Sequence, residues 1–187
     1  ECVQCFTSHV DSIVVGYGGT VDKHIGDAVM ALFGAPRAHE DDAIRAIRAA
    51  LDIHEGLRHL AGQSHPLIAH IGIASGEVVA GTMTRVEARD YTVLGDAVNL
   101  AARLMAKAEP GHIYATASVL DRSNTLFETV ELAPFAVKGK AQPVQAWSVG
   151  RAKGSRTRQV TLKRLPLIGR DAELATMIHP RSLTVEA

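Results

Sequence analysis

Apolar residues recur at helical spacing in two parts of the chain. In residues 2–17 they are Val3, Phe6, Val10, Ile13, Val14 and Tyr17. In a segment that starts at Asp41 or Asp42 and runs to about Leu60, the stripe comprises Ile44, Ile47, Leu51, His54 and Leu57. A period of three to four residues places these side chains on one face of a helix. Both segments are therefore predicted to be amphipathic helices, and Gly18-Gly19 is typical of a helix end.

Short apolar or alternating runs predict strands in the rest of the chain. Residues 21–25 and 29–33 flank Gly26-Asp27 and predict a β-hairpin. Further strands are predicted at 66–74, 76–80, 91–94, 111–116, 127–137 and 146–149, with a polar connection at 82–90. Helices are predicted around Asn99 and at 118–120. This order is that of a ferredoxin-like α/β sandwich, an antiparallel sheet with helices on one side, although periodicity alone does not select it.

Composition narrows the class of protein. Of 187 residues, 47% are hydrophobic and 21% are charged, which is typical of a globular protein. The formal net charge of +0 provides no overall field that would attract nucleic acid. No apolar run approaches the roughly 20 residues that span a bilayer, and no signal peptide opens the chain. We therefore expect a cytoplasmic protein with no membrane span and no nucleic-acid partner.

Cys2 and Cys5 have the C-x-x-C spacing of some zinc and redox sites. A structural zinc site needs two further ligands at matching spacing, and none follows in the sequence. Both cysteines lie in the first predicted helix, where we interpret them as ordinary helix residues.

Two stretches carry candidate chemistry. In YTVLGDAVNLAAR, a strand and a Gly-Asp turn lead into a helix in which Asn99 and Arg103 stand four residues apart. They project from the same face, about 6 Å from each other, and could hold phosphate oxygens. In the hairpin, Asp27 lies at the tip, where a hard cation such as Mg²⁺ could use its carboxylate, and Lys23 lies on the strand leading in.

Four blocks in order, VDKHIGDAVMALFGAP, HIGIASGEVVAG, YTVLGDAVNLAARL and VKGKAQPV, resemble the catalytic domain of class III nucleotidyl cyclases, the adenylate and guanylate cyclases. The resemblance covers roughly residues 1–150. It implies the ferredoxin-like fold and conversion of a nucleoside triphosphate to its 3′,5′-cyclic monophosphate and pyrophosphate. Two ions, Mg²⁺ or Mn²⁺, assist this reaction in the family.

The family holds these ions with two aspartates. Asp27 matches the second, at the hairpin tip. The first belongs to a strand well upstream of the hairpin, whereas the 17 residues before Gly18 are predicted to be helical. The resemblance therefore predicts a domain that lacks its first strand and first metal aspartate, and that is inactive as it stands.

The resemblance also assigns substrate contacts. Lys23 matches the base-selecting lysine, and Thr92 matches its partner position. Lysine only donates hydrogen bonds, which suits adenine N1, so the pair favours ATP over GTP. Asn99 and Arg103 match the pair that orients the ribose and neutralises charge in the transition state, and Lys138 matches a lysine that binds the terminal phosphates. Because family sites form between two domains, a symmetric homodimer is implied.

Each residue also has an ordinary interpretation. Lys23 could be a solvated strand lysine, Asp27 a turn residue, and Arg103 the partner of Asp96 or Glu109. Their joint occurrence at family positions favours function. The alternatives are a non-catalytic cyclase-like module that binds nucleotide or dimerises to regulate a neighbouring domain, a guanylate cyclase, which Lys23 argues against, and a diguanylate cyclase, whose hairpin motif is absent.

The chain changes character after residue 150. Residues 151–187 begin with a basic, apolar-poor stretch that predicts a linker. LPLIGRDAEL, at 165–174, resembles the lead-in to an ATPase module, but no phosphate-binding G-x-x-x-x-G-K-[ST] loop follows.

Overall fold

The computed structural model describes residues 2–60, 67–85, 88–136 and 142–155, and side chains are not described at 2–3, 60, 80–85 and 88–93. The described residues belong to one compact unit. Its helices are α1 Cys2–Gly16, α2 Asp42–Leu60, α3 Asp96–Lys107 and α4 Ala117–Asp121. Its strands are β1 Thr20–Ile25, β2 Ala28–Leu32, β3 Ile71–Ile73, β4 Val79–Arg85, β5 Ala88–Leu94, β6 Ile113–Thr116, β7 Thr125–Glu131 and β8 Ala146–Ser155. No described helix is long and apolar enough to cross a membrane.

The first helix ends where the glycine pair predicts. Gly18 has a φ of 76°, a left-handed conformation that suits glycine. Its amide donates to the carbonyl of Val15 and the amide of Gly19 donates to that of Val14, both at 2.9 Å. This pair of bonds is the Schellman motif that closes a helix C-terminus. The predicted helix over 2–17 is thereby confirmed.

The predicted hairpin is also confirmed. Strands β1 and β2 pair antiparallel, with Ile25 opposite Ala28 on either side of the Gly26-Asp27 turn. Gly26 has a φ of 64°, which explains why the turn uses glycine there. The hairpin leads through residues 33–41 into α2, as expected from the sequence.

The main sheet has the order β3-β6-β8-β7. Pairs β6–β8 and β8–β7 are antiparallel, whereas β3 and β6 are parallel, so this sheet is mixed. Among the described residues, β1–β2 and β4–β5 form separate two-stranded sheets. The predicted α/β sandwich of sheets and packed helices is confirmed, with this parallel pair added.

Residues 82–90 were wrongly predicted to be a polar connection. They lie largely in β4 and β5, which pair antiparallel from Val79 opposite Leu94 to Arg85 opposite Ala88. Backbone hydrogen bonds between neighbouring strands do not require alternating apolar and polar residues. The polar sequence of this segment therefore gave no indication of strands.

Three other strands differ from prediction in length. The strand predicted at 66–74 is limited to β3, and the one predicted at 127–137 ends at Glu131. In contrast, β8 continues to Ser155, past the domain boundary predicted after residue 150. Its polar end pairs with β7, where Ser155 lies opposite Thr125. The strand continues because its backbone has a partner, which composition does not reveal.

Helix α2 contributes to two groups of buried residues. One group joins it to the main sheet and comprises Ile47, Ala50, Ile113, Ala115, Val119, Phe127 and Val149. The other joins it to α1 and comprises Val10, Val14, Ile53 and Leu57, with hairpin residues packed against them. Ile47 and Leu57, at 0% and 1% exposure, confirm the predicted buried stripe.

Helix α3 packs against β3 through Gly72. A Cβ atom at Gly72 would overlap the carbonyl oxygen of Ala101 and the amide nitrogen of Met105, and would lie 3.0 Å from Cβ of Leu104. Leu104 is fully buried at this contact. The helix backbone therefore approaches the strand as closely as a residue without a side chain allows.

We expect Gly72→Ala to lower the free energy of unfolding by about 2 kcal/mol or more, because backbone atoms of α3 would have to move to admit the methyl group. Gly16→Ala is the control. It lies at the end of α1 with nothing within 4 Å of the added atom, and should change stability by less than about 1 kcal/mol. Urea unfolding followed by circular dichroism measures both. Equal stability of the two variants would contradict the close packing.

His54 connects α2 to the segment before β3. Its Nε2 donates to the carbonyl oxygen of Ala69 at 3.2 Å. Burial lowers the pKa of His54 from its ordinary value of 6.5, and the positive charge of Arg58 and the nearby His112 and His70 lower it further, while the Ala69 bond acts in the opposite direction. The half-buried imidazole is therefore neutral in the folded protein at neutral pH.

Because this pKa is lower in the folded than in the unfolded chain, the unfolded chain binds more protons as the pH falls below 6.5. The stability that the neutral imidazole contributes is present above that pH and is lost below it. We expect His54→Gln to flatten the fall in unfolding free energy between about pH 7.5 and 5.5. Ala102→Gln, at an exposed position of α3, changes no group that titrates in this range and should leave the slope unchanged. An identical slope in wild type and His54→Gln would contradict this prediction.

Candidate active site

The hairpin tip presents the carboxylate of Asp27. This residue lies between β1 and β2, directly after Gly26, and is exposed. A carboxylate in a tight turn keeps its oxygens free of the strand ladder and accessible to a cation. The structure therefore places Asp27 where the sequence predicts a metal ligand to lie.

Lys23 lies on the strand leading to this tip. It pairs with Met30 across the hairpin. Its ammonium nitrogen lies 3.2 Å from Oδ2 of Asp22, and its side chain remains 37% exposed. The predicted base-selecting lysine is thus not fully solvated, because a carboxylate of the preceding residue restrains it. Asp22 is not among the residues predicted from the sequence, although an acidic residue next to a candidate lysine could have indicated an ion pair.

Thr92 lies in β5, where it pairs with Gly81 of β4. Its side chain is outside the described residues. Strand β5 also contacts β1. The strand that carries Lys23 and the strand that carries Thr92 are therefore neighbours, as a shared base-binding role would require.

Asn99 and Arg103 lie on α3, which starts directly after β5. Gly95 separates the two elements, and a Cβ atom there would lie 2.7 Å from the carbonyl oxygen of Glu77. This close approach fixes the start of the helix. Asn99 is exposed and Arg103 is partly exposed, one helical turn apart. Ala97 and Leu104 are buried instead, so the helix has one face in the core and leaves Asn99 accessible.

The predicted site residues thus fall into two groups. Lys23 and Asp27 share the β1–β2 hairpin, and Thr92, Asn99 and Arg103 share the continuous unit of β5 and α3. Contact between β1 and β5 joins these groups. Lys138, the predicted ligand of the terminal phosphates, lies outside the described residues.

The described residues bring together no group of three or more His, Cys, Asp or Glu side chains able to hold a metal ion. Asp27 is the exposed carboxylate at the hairpin tip, and one carboxylate does not form a two-metal site. The described residues of one chain could therefore provide one ligand of a metal site but not the complete set.

The sequence matches one family model over most of its length. Residues 2–150 match the adenylate and guanylate cyclase catalytic domain. The chain belongs to this family of cyclase catalytic domains.

Solved structures of both specificities resemble this fold. The adenylyl cyclase CyaB from P. aeruginosa is 29% identical, with a TM-score of 0.73 over 79% of this chain and 79% of that chain. The guanylate cyclase domain of RhGC from Catenaria anguillulae, in complex with GTP, is 30% identical, with a TM-score of 0.74 over 80% of this chain and 82% of that chain. The fold therefore does not distinguish adenylate from guanylate cyclases.

Among curated proteins, an uncharacterised protein of Mycobacterium tuberculosis is 37% identical over 145 residues. The match covers 71% of this chain and 24% of that relative. The chain thus spans about a quarter of the length of this relative.

Proposed function

We propose that this domain is an adenylate cyclase, which converts ATP to 3′,5′-cyclic AMP and pyrophosphate. The observation that carries the specificity is Lys23, a residue with donors only, on a strand that contacts the Thr92 strand. Family membership supports the cyclisation reaction in general. The choice of purine depends on these two residues.

Hydrogen-bond chemistry separates the two purines. Adenine presents an acceptor at N1 and donors at N6, whereas guanine presents donors at N1 and N2 and an acceptor at O6. The Lys23 ammonium can donate to adenine N1 but opposes the donors of guanine. The Thr92 hydroxyl can accept from adenine N6, and because it can also donate, it discriminates less than a carboxylate would. Lys23 with Thr92 therefore favours ATP, with moderate selectivity.

Asn99 and Arg103 are proposed to act on the ribose and phosphates. The ribose 3′-oxygen attacks the α-phosphorus and loses its proton, the bond to the bridging oxygen breaks, and pyrophosphate leaves. The Asn99 amide would orient the ribose. The Arg103 guanidinium would neutralise the charge that develops on the α-phosphate and the leaving group. Lys138 is proposed to bind the terminal phosphates.

Divalent ions, Mg²⁺ or Mn²⁺, are proposed as cofactors because cyclisation needs an activated 3′-oxygen and a stabilised leaving group. Asp27 would be one ligand. Two ions need a further carboxylate beside Asp27, so the activity tests use a chain extended upstream of Glu1, which would carry any ligand encoded there. Two copies of the domain would form each site, in a cytoplasmic homodimer.

Replacement of Asn99 or Arg103 tests the proposed chemistry. We expect the chain extended upstream of Glu1 to form cyclic AMP, and Asn99→Ala or Arg103→Ala to lower kcat by at least about 100-fold, because each removes a group that acts in the transition state. Cyclic AMP formed with Mn²⁺ or Mg²⁺ is measured by chromatography.

Asn124→Ala and Arg122→Ala are matched controls at exposed positions beyond α4, and should retain wild-type kcat. If the extended chain folds and dimerises but forms neither cyclic AMP nor cyclic GMP, a non-catalytic regulatory module is the better interpretation. If the Asn99 and Arg103 variants retain full activity, their assigned roles are wrong.

Replacement of Lys23 tests the choice of purine. We expect Lys23→Met to lower kcat/KM for ATP by about 10- to 100-fold and to change kcat/KM for GTP by less than about threefold, because only adenine loses a hydrogen bond. Lys153→Met is the control, since Lys153 is also a strand lysine beside a carboxylate, 3.9 Å from Glu128. A parallel loss for both nucleotides would show that Lys23 does not read the base.

A further inference from the structure

The carboxylate of Asp22 is in an unusual environment. Its side chain has 0% exposure, yet neither oxygen has a hydrogen-bond partner in the described part of the chain. The ion pair that these residues provide is with Lys23, whose ammonium nitrogen lies 3.2 Å from Oδ2. A buried carboxylate without hydrogen bonds is costly, so a single cation against it has a large effect on its stability.

Adjacent residues of a regular strand point to opposite faces, so this pair needs an irregularity. The hairpin register supplies one. Val21 pairs with Ala31 and Lys23 pairs with Met30, so that Asp22 is an extra residue with no partner on β2. This is a β-bulge, which redirects side chains and is common beside functional sites. The bulge allows the side chains of Asp22 and Lys23 to meet.

The two side chains differ in exposure. The Asp22 side chain has 0% exposure, whereas the Lys23 side chain remains 37% exposed. The buried carboxylate therefore has little room to move, and it restrains the more exposed ammonium group of Lys23. An ammonium has three N–H donors, and contact with one carboxylate oxygen leaves others free for a ligand.

A restrained lysine differs functionally from a free one. The long lysine side chain has large rotamer freedom in water, and loses it when it binds a ligand. A lysine already held in place loses less freedom on binding and offers its donor in a defined direction. Strand β1, which carries both residues, contacts β5, so the restraint acts beside the strand of Thr92.

We propose that Asp22 is a positioning residue, which holds the Lys23 ammonium in place through the bulge and thereby sets the selectivity for adenine over guanine. This proposal rests on the proposed function, since it concerns the base that Lys23 reads. Asp22 itself does not touch the nucleotide, because its side chain is buried.

A double-mutant cycle in the extended chain tests this proposal. We expect Asp22→Asn to lower kcat/KM for ATP by about tenfold, mainly through KM, and to change kcat/KM for GTP by less than about threefold. In a Lys23→Met background, Asp22→Asn should have no further effect on ATP, because the lysine it positions is gone.

Asp11→Asn is the matched control. Asp11 is also a carboxylate beside a side chain of β1, with its Oδ1 3.0 Å from Nε2 of His24, whereas the ion pair of Lys23 in the described structure is with Asp22. It should leave the ratio of ATP to GTP turnover unchanged. Asp22→Ala replaces Asp22→Asn if the amide variant does not fold. The proposal is overturned if the Asp22 variant affects both nucleotides equally, or if its effect persists at full size in the Lys23→Met background.

Unfolding in urea without nucleotide separates this proposal from the proposed function. Lys23→Met should raise the unfolding constant more than about tenfold when Asp22 is present, and less than about threefold in Asp22→Asn, because only the former leaves a buried charge unpaired. An equal effect in both backgrounds would show that the ion pair is absent. If the protein shows this coupling but forms no cyclic nucleotide, the ion pair is present and the proposed enzymatic function is wrong.

Discussion

The close contact of α3 with β3 at Gly72 is the constraint on which the candidate site depends. No side chain separates the strand from the backbone at Ala101 and Met105, so the helix has one permitted depth on the sheet. Asn99 and Arg103 lie on this same helix, and their positions are set by that depth. Because β5 runs into α3 through Gly95, the strand of Thr92 is held by the same contact. The positions of the candidate site residues on α3 therefore depend on Gly72, which has no side chain.

The hairpin carries the other candidate site residues, Lys23 and Asp27, and positions them by a tight turn and a bulge rather than by close helix packing. Its tip is a tight turn that exposes Asp27, while its first strand contains a bulge that brings Lys23 to a buried carboxylate. One hairpin thus carries the exposed carboxylate proposed as a cation ligand and the restrained ammonium proposed to bind the base. Contact of β1 with β5 relates this half to the half on α3. The two residues proposed to read the base therefore lie one on each half, Lys23 on the hairpin and Thr92 on β5, whereas the pair proposed to act on ribose and phosphates lies on α3 alone.

Local patterns in the sequence predicted the helices and the hairpin well. Helix α1, the hairpin turn and the buried stripe of α2 each depend on residues close together in the chain, and Gly18 and Gly26 mark the end of α1 and the hairpin turn. Strands β4 and β5 were missed because their pairing depends on the backbone of a neighbouring segment. The end of β8 was missed for the same reason, since its polar residues are held by β7.

The candidate site could be proposed from the sequence as a set of residues, but their arrangement could not. Lys23, Asp27, Asn99 and Arg103 were recognised from ordered motifs, which fix identity and approximate element. Asp22 was missed because strand alternation would place it opposite Lys23, and the bulge depends on a register that only the structure reveals. The role of Gly72 was likewise hidden, because it depends on a helix almost thirty positions later in the chain.

Competition between the two purine nucleotides tests the central claim most directly. The extended chain would be incubated with equal concentrations of ATP and GTP and Mn²⁺, and both cyclic products would be quantified in the same sample. The ratio of products then equals the ratio of kcat/KM values, independent of the active fraction. We expect cyclic AMP to exceed cyclic GMP by about tenfold or more. Equal amounts, or an excess of cyclic GMP, would contradict the assignment of Lys23 and Thr92 as an adenine-reading pair.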